Sequence, residues 1–236
     1  SADQGESKMG EMIEFEGPGG ETIPAYLALS GPGSGPGVVI GQDIFGMGES
    51  QRVIADMFAA NGFNAMVPDI FYDLEQATRT GPDGVERTSY LGQFNTDTCF
   101  GYFCSAMDFL RAREESNGKV ATIGFCYGGN LAYLSVARHD PDAAASYYGT
   151  QLQNYLDEAG AIKKPLMLHI SEHDRTYSEE DRDRILAKFE GAEMVTTHVY
   201  AQRHGFAHRL VAEPDDGDGK EIAHGRTFAL FEGMKY

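Results

Sequence analysis

The stretch Lys119-Val-Ala-Thr-Ile-Gly-Phe-Cys-Tyr-Gly-Gly-Asn130 constrains this chain more than any other. Val120 to Ile123 is a short apolar run of β-formers, bounded by Asn117-Gly118 before it and Gly124 after it, which reads as a buried strand. From Tyr127 to Arg138 small residues give way to apolar ones at helical spacing, so a strand turns into a helix within about two residues. A turn that tight holds the residue at its tip in strained φ/ψ, and Gly124, Gly128 and Gly129 remove the side chains that would collide there. The pattern Gly-x-Cys-x-Gly-Gly is that of a nucleophile elbow carrying a thiol, which predicts Cys126 at the top of a sheet above a helix N-terminus. A small core cysteine beside a turn is the competing reading, since free cysteine is among the most buried residue types. Partners elsewhere in the chain decide between the two.

At 236 residues the chain is long enough to bury a sizeable core. No linker, repeat, low-complexity block or midway shift in composition divides it, so a single domain over 1–236 is expected, with a polar tail at 1–10. The net charge of −17, with Lys and Arg scattered, argues against a nucleic-acid or anionic-membrane surface. An anionic substrate would have to be caught by a local cluster of positive residues. No run of about 18 apolar residues is present, so no membrane span is expected. Three cysteines cannot pair fully, and none has CxxC or zinc-ligand spacing, which fits a reducing, cytoplasmic compartment. Cys104, on the stripe with Phe100, Met107 and Leu110, reads as core, and Cys99 as inert.

Taken in order, 11–16, the Gly17-Pro-Gly-Gly20 turn and 21–28 make a hairpin, with Pro24 giving its second strand an edge-like position. The Gly/Pro segment 31–37 lacks Gly-Lys-Ser/Thr and its prolines lack N–H donors, so it reads as a surface turn and not a phosphate loop. A strand at 38–40 runs into Gln42-Asp-Ile-Phe45. A helix over 50–60 follows, with Val53, Ile54, Met57 and Phe58 on one face, then a strand over 64–69. The segment 70–97 shows no clear period and reads as a lid-like loop above the sheet. A helix over 98–113 leads to the elbow strand. Further strands are read at 143–148, 165–170 and 196–200, with helices after Ser178 and over 220–231. The alternation of strands and helices predicts an α/β architecture, a mostly parallel twisted sheet of about 8 strands with helices on both faces.

A nucleophile elbow, an acid after a later strand and a histidine after the last strand stand in the chain order of an α/β-hydrolase triad, and Cys126, Asp174 and His204 fit it. Singly, Asp174 is an ordinary turn residue and His204 a loop histidine, and Glu172, His173 and His208 compete with them. The thiolate is the attacking form, and an imidazole and a helix N-terminus favour it. The acid would orient the ring and stabilise its cation. The backbone N–H groups of Tyr127 and Ile44 would form the oxyanion hole.

Gly124-Phe-Cys-Tyr-Gly-Gly129, Gln42-Asp-Ile-Phe-Gly46, Val67-Pro-Asp69, Tyr147-Tyr-Gly149, His173-Asp174 and His204-Gly-Phe206 resemble, in order and spacing, the dienelactone hydrolase family of α/β-hydrolases, over nearly the whole chain. The resemblance implies a cytosolic, cofactor-free hydrolase of activated esters and lactones, the namesake dienelactones arising in aromatic degradation. By position it makes Cys126 the nucleophile, His204 the base and Asp174 the orienting acid. Where the family has a glutamate that contacts the resting thiol, this chain has the shorter Asp43. Where it has an arginine four residues after the catalytic histidine, for the substrate carboxylate, this chain has His208 followed by Arg209. Arg87 and Tyr90 fall near positions that contact substrate. The implied partner is a small-molecule ester or lactone, bound by a monomer or small homo-oligomer.

Two other classes are open to the residues. One is a non-catalytic ligand-binding protein on the same scaffold. The other is a metal site at His169/His173 or His204/His208, each spaced i, i+4, but both pairs fall at strand ends or in loops, where that spacing does not align two rings. No metal is therefore expected.

Overall fold

The computed structural model describes residues 9–81 and 83–236; most of the polar tail expected at 1–10 lies outside them. The elements in chain order are β1 (Gly10–Glu16), β2 (Thr22–Ala28), β3 (Gly35–Gly41), α1 (Glu49–Ala60), β4 (Asn64–Pro68), β5 (Ala77–Thr80), β6 (Glu86–Ser89), α2 (Thr96–Arg111), β7 (Ser116–Phe125), α3 (Tyr127–Arg138), β8 (Ala143–Tyr147), β9 (Leu166–His173), α4 (Glu179–Phe189), β10 (Val195–Arg203) and α5 (Gly219–Phe231). An 8-stranded sheet runs in the order β1-β2-β4-β3-β7-β8-β9-β10. β1, β2 and β4 pair antiparallel, and every pair from β4 and β3 through β9 and β10 is parallel.

Alternation along the strands builds a core on each face. Val38, Ile40, Ala65, Val67, Ala121 and Ile123 pack with Ile54 and Phe58 of α1 and Ala223 and Phe231 of α5. Val39, Met66 and Val120 face the other way, onto Phe103, Met107 and Leu110 of α2. Thr122, between Ala121 and Ile123, hydrogen-bonds Ser135 of α3 at 2.8 Å, so α3 lies on the α2 side. The expected α/β sheet, with its antiparallel hairpin and helices on both faces, is the observed one. Among the described residues no helix is long and apolar enough to cross a membrane.

Several local expectations differ from the structure. β2 is not an edge strand, because it sits between β1 and β4. Its ladder with β4 begins only at Ala25, and the Pro24 carbonyl accepts the Asp69 N–H at 2.8 Å. N and O of one residue point to the same side of a strand, so the N–H that Pro24 lacks would face the end of β4 and not β1, and only the reciprocal bond at the end of the ladder is forgone. The Gly/Pro turn is shorter than expected, since β3 starts at Gly35. Val53 of α1 is 47% exposed, the buried face being Gln51, Ile54, Ala55, Phe58 and Ala59. On α2 the core face runs through Cys99, Tyr102, Phe103, Ala106, Met107 and Leu110, so Cys99 is the core thiol and Cys104 is half-buried. Phe100, beside that face, is partly buried against the core and has the Arg138 guanidinium 5.6 Å from its ring centroid. The segment 70–97 is not structureless: it holds the antiparallel β5–β6 hairpin. A 3₁₀ segment, Leu152–Ala161, was not legible in the sequence.

Candidate active site

The parallel strands end on one side of the sheet, where ligands of open α/β folds bind. β3 delivers Gln42 and Asp43 there, β7 Cys126, β8 Tyr148 and Thr150, β9 Asp174 and β10 His204. A cavity of about 780 Å³ opens at this edge, lined by Asp43, Phe45, Cys126, Asp174, His204, His208 and Arg209, with His173, Arg175, Arg203 and Val211 among the others.

Cys126 sits at φ 58°, ψ −119°, between the last residue of β7 and the first of α3. Neighbouring backbone enforces the strain. A Cβ at Gly124 would lie 1.9 Å from the Gly128 carbonyl oxygen, and one at Gly128 would lie 2.1 Å from that of Gly41. The elbow, β7 and β3 therefore meet backbone to backbone, and only glycine fits. The Cys126 N–H donates to the Tyr147 carbonyl at 3.0 Å, which fixes the turn to β8. Cys126 is at the cavity wall, and the residue is 6% exposed.

His204 follows a register shift near the end of β10, and Gly205 at φ 90° turns the chain so that Phe206 is buried behind it. Its Nδ1 is 2.7 Å from Asp174 Oδ2, with the carboxylate fully buried and the ring nearly so. Asp174 is held from its other oxygen by Thr176, whose N–H and hydroxyl donate to Oδ1 at 2.7 and 2.6 Å. Burial alone would depress His204, but the Cys126 sulfur and the Asp174 carboxylate outweigh it and raise the ring to about 9. The ring is therefore a cation over the neutral range, beside the sulfur. Burial pushes Cys99 and Cys104 the opposite way, each up to about 12, so both stay protonated thiols.

Asp43 lines the same cavity, but its oxygens are spent away from the sulfur. Oδ1 accepts the Phe45 N–H at 2.8 Å, and Oδ2 lies 2.8 Å from His208 Nε2 and 3.4 Å from Gln51 Nε2. His208 Nδ1 is in turn 2.6 Å from the Tyr148 hydroxyl. Tyr148 and Phe125 flank the His208 ring, so this second, nearly buried histidine–aspartate pair is built into the wall. Arg209 is turned onto Glu213, Asp216 at 3.5 Å and the His204 carbonyl at 2.8 Å.

Arg87 and Tyr90 are not brought to the cavity. Arg87 pairs with Asp83 at 2.6 Å on the β5–β6 hairpin. Tyr90 stacks on Phe71, and its backbone N–H donates to the Ile44 carbonyl at 2.8 Å. Phe94 packs on Tyr127 with ring centroids 4.2 Å apart. The segment expected as a lid thus buttresses the Gln42–Gly46 loop and the start of α3 from the side, and none of its described residues lines the cavity. Of the histidine pairs, His169 is buried against Tyr200 and Thr227 while His173 is exposed, and His204 and His208 each hold a separate aspartate. Among the described residues no group of three or more His, Cys, Asp and Glu side chains could hold a metal ion.

Sequence reasoning missed Thr150 and Thr176, and of Tyr148 it had the motif but not the contact with His208. Each follows a strand end by one to three residues, and nothing in periodicity distinguishes such a residue from its loop neighbours.

The sequence pattern of the dienelactone hydrolase family matches residues 23–234. A protein of Azospirillum brasilense provisionally named a carboxymethylenebutenolidase is 32% identical, covering 94% of this chain and 98% of the relative. The carboxymethylenebutenolidase of Pseudomonas sp. (strain P51) is 28% identical over 95% of this chain and 96% of its own. Among solved structures, the esterase Pf2001 of Pyrococcus furiosus has a TM-score of 0.71 at 12% identity, covering 98% of this chain and 92% of that one, a likeness of fold.

Proposed function

The chain belongs to the dienelactone hydrolase family, and from that premise we propose that it hydrolyses activated carboxylic esters or lactones through a thioester on Cys126, with His204 and Asp174 completing the triad. The observation that carries this reading is the Asp174–His204 hydrogen bond of 2.7 Å at a cavity that a strained Cys126 also lines. An imidazolium held next to the sulfur favours the thiolate, which attacks the acyl carbon. Asp174 keeps Nδ1 occupied, so Nε2 is the nitrogen that exchanges protons with sulfur, leaving group and water.

The oxyanion would be met by two backbone N–H groups. Tyr127 is the first residue of α3 and so lacks an intrahelical acceptor. Ile44 lies in a turn closed by Phe45 and Gly46 N–H bonds to Asp43 and clamped by Tyr90, and its own N–H has no partner among the described residues. Two such donors would lower the barrier by about 3–4 kcal/mol each. The collapse of the tetrahedral intermediate favours good leaving groups. A thiolate is a better leaving group than an unprotonated amine, so esters and enol lactones should turn over far faster than peptides.

The test is a panel of p-nitrophenyl esters, enol lactones, dienelactones and peptides given to wild type and to Cys126→Ala, Cys99→Ala and Cys104→Ala. Hydrolysis of the activated esters or lactones should vanish in Cys126→Ala alone. Retained turnover in that variant, or efficient peptide cleavage by wild type, would refute the proposal.

A further inference from the structure

Among the described residues the Cys126 sulfur has a hydrogen-bond partner that is neither His204 nor Asp43. Sγ lies 3.1 Å from Thr150 Oγ1. The Thr150 N–H also donates to the Cys126 carbonyl at 3.0 Å, so one residue grips the cysteine at two points. Thr150 belongs to the turn after β8, where Tyr148 at φ 39° and Gln151 at φ 70° flank it. Non-glycine residues enter that left-handed region only where their surroundings hold them. The Thr150 hydroxyl has no other side-chain or backbone partner among the described residues, and it is free to rotate about its C–O bond.

We propose that Thr150 is a positioning residue of the hydrolysis, its hydroxyl accepting from the Cys126 thiol and donating to the Cys126 thiolate as the sulfur is freed and consumed in each turnover. The proposal rests on the reading of Cys126 as nucleophile. A hydroxyl has one donor and two acceptor sites, so it can follow the sulfur through both protonation states. Donation to the thiolate favours that state over the thiol. In the acyl-enzyme the sulfur carries neither proton nor charge, and the hydrogen bond is weak. Water then gives a proton to His204 and adds to the thioester carbonyl. As the tetrahedral intermediate collapses, the C–S bond breaks, its electron pair leaves on sulfur and the carboxylic acid is released. The Thr150 O–H is already aimed at the sulfur on which that charge develops, beside the His204 cation. Removing it should therefore affect the resting thiolate and the departure of sulfur together.

The experiment compares Thr150→Val, which removes the hydroxyl at nearly constant shape, with Thr150→Ser, which keeps it. The first measurement is the iodoacetamide inactivation rate of the free enzyme against pH. Its midpoint should rise by about one pH unit in Thr150→Val, the size of a hydrogen bond to a charged group, and stay near wild type in Thr150→Ser. The second is pre-steady-state hydrolysis of a p-nitrophenyl ester. Thr150→Val should show a burst of nitrophenol followed by a slowed steady state, roughly 10-fold below wild type or lower. If valine prevents folding, Thr150→Ala is read in the same way. Coincident alkylation profiles for wild type and the hydroxyl-free variant would overturn the proposal, and so would a serine variant as impaired as valine. Hydrolysis surviving in Cys126→Ala is a different failure, since it removes the nucleophile itself.

Discussion

Three thiols share this chain, and their surroundings separate them. Cys99 lies in the α2 core and Cys104 at its half-buried margin, where burial keeps both protonated; Cys126 alone lines the cavity and has a histidine cation beside it. Iodoacetamide near neutral pH should therefore place one label, on the peptide carrying Cys126, and mass spectrometry after brief treatment would show it. Fast labelling of Cys99 would contradict the assignment. Asp174→Asn keeps the shape but presents the wrong tautomer to the sulfur, and should lower kcat about 10³–10⁴-fold while the fold persists by circular dichroism. A drop below about 10-fold would mean that Asp174 does not orient His204 in turnover. The Asp43–His208 pair gives a contrast in stability. Both side chains are nearly buried, so His208→Ala leaves a carboxylate facing a void and should cost about 3 kcal/mol in urea unfolding. Arg87→Ala, at a solvent-exposed pair, should cost nothing measurable. Equal effects would place the two pairs in the same environment.

At the scale of elements, the elbow works because β3, β7 and α3 approach closer than any side chain permits. The strand-to-helix turn was legible from Gly124, Gly128 and Gly129, whereas the close approach of Gly41 appears only in the structure. Gly128→Ala puts a methyl group 2.1 Å from the Gly41 carbonyl oxygen, which no rotamer relieves. The expected loss is at least about 3 kcal/mol, or about 6–12 °C in Tm for a chain of this size. Gly160→Ala, with no atom within 4 Å of the added carbon, is the control and should unfold like wild type. A Gly128→Ala protein with unchanged Tm would show that α3 is free to move off the sheet. Elements whose role depends on neighbours were less legible. Pro24 is compatible with an edge or with the end of a central strand, and only the position of β4 decides.

At the scale of the whole molecule, strands β8 to β10 and α5 enclose a buried polar layer. His169 bonds Tyr200 and Thr227, and Tyr147 bonds Thr227 and His224. Burial drives His169 well below its ordinary value and His224 down to about 4. Both are neutral in the fold, whereas in the unfolded chain they take up protons below about pH 6.5. The unfolded state then binds more protons, so stability falls as pH drops from about 6.5 towards 4. His204 acts in the opposite sense: raised to about 9, it contributes stability that is fully present below about pH 6.5 and lost as pH rises through about 9. Urea midpoints should therefore decline on both sides of the neutral range. On the acid side, replacing His224 with Gln should flatten the decline. An unchanged slope between about pH 6.5 and pH 4 in that variant would exclude His224 as a cause of it.

The order of the strands and helices of the main sheet, the glycine-lined elbow and the placement of Cys126, Asp174 and His204 just past strand ends were legible in the chain, because periodicity, tight turns and strand ends are local properties. What the tertiary structure decided is which side chains share a hydrogen bond once those ends converge. Asp43 and His208 are 165 residues apart and meet only because β3 and β10 both end at the same side of the sheet. Thr150 reaches Cys126 only because β8 lies beside β7. A single methylene or a turn in the left-handed region directs such a contact to one partner or another, and sequence spacing carries no record of that direction.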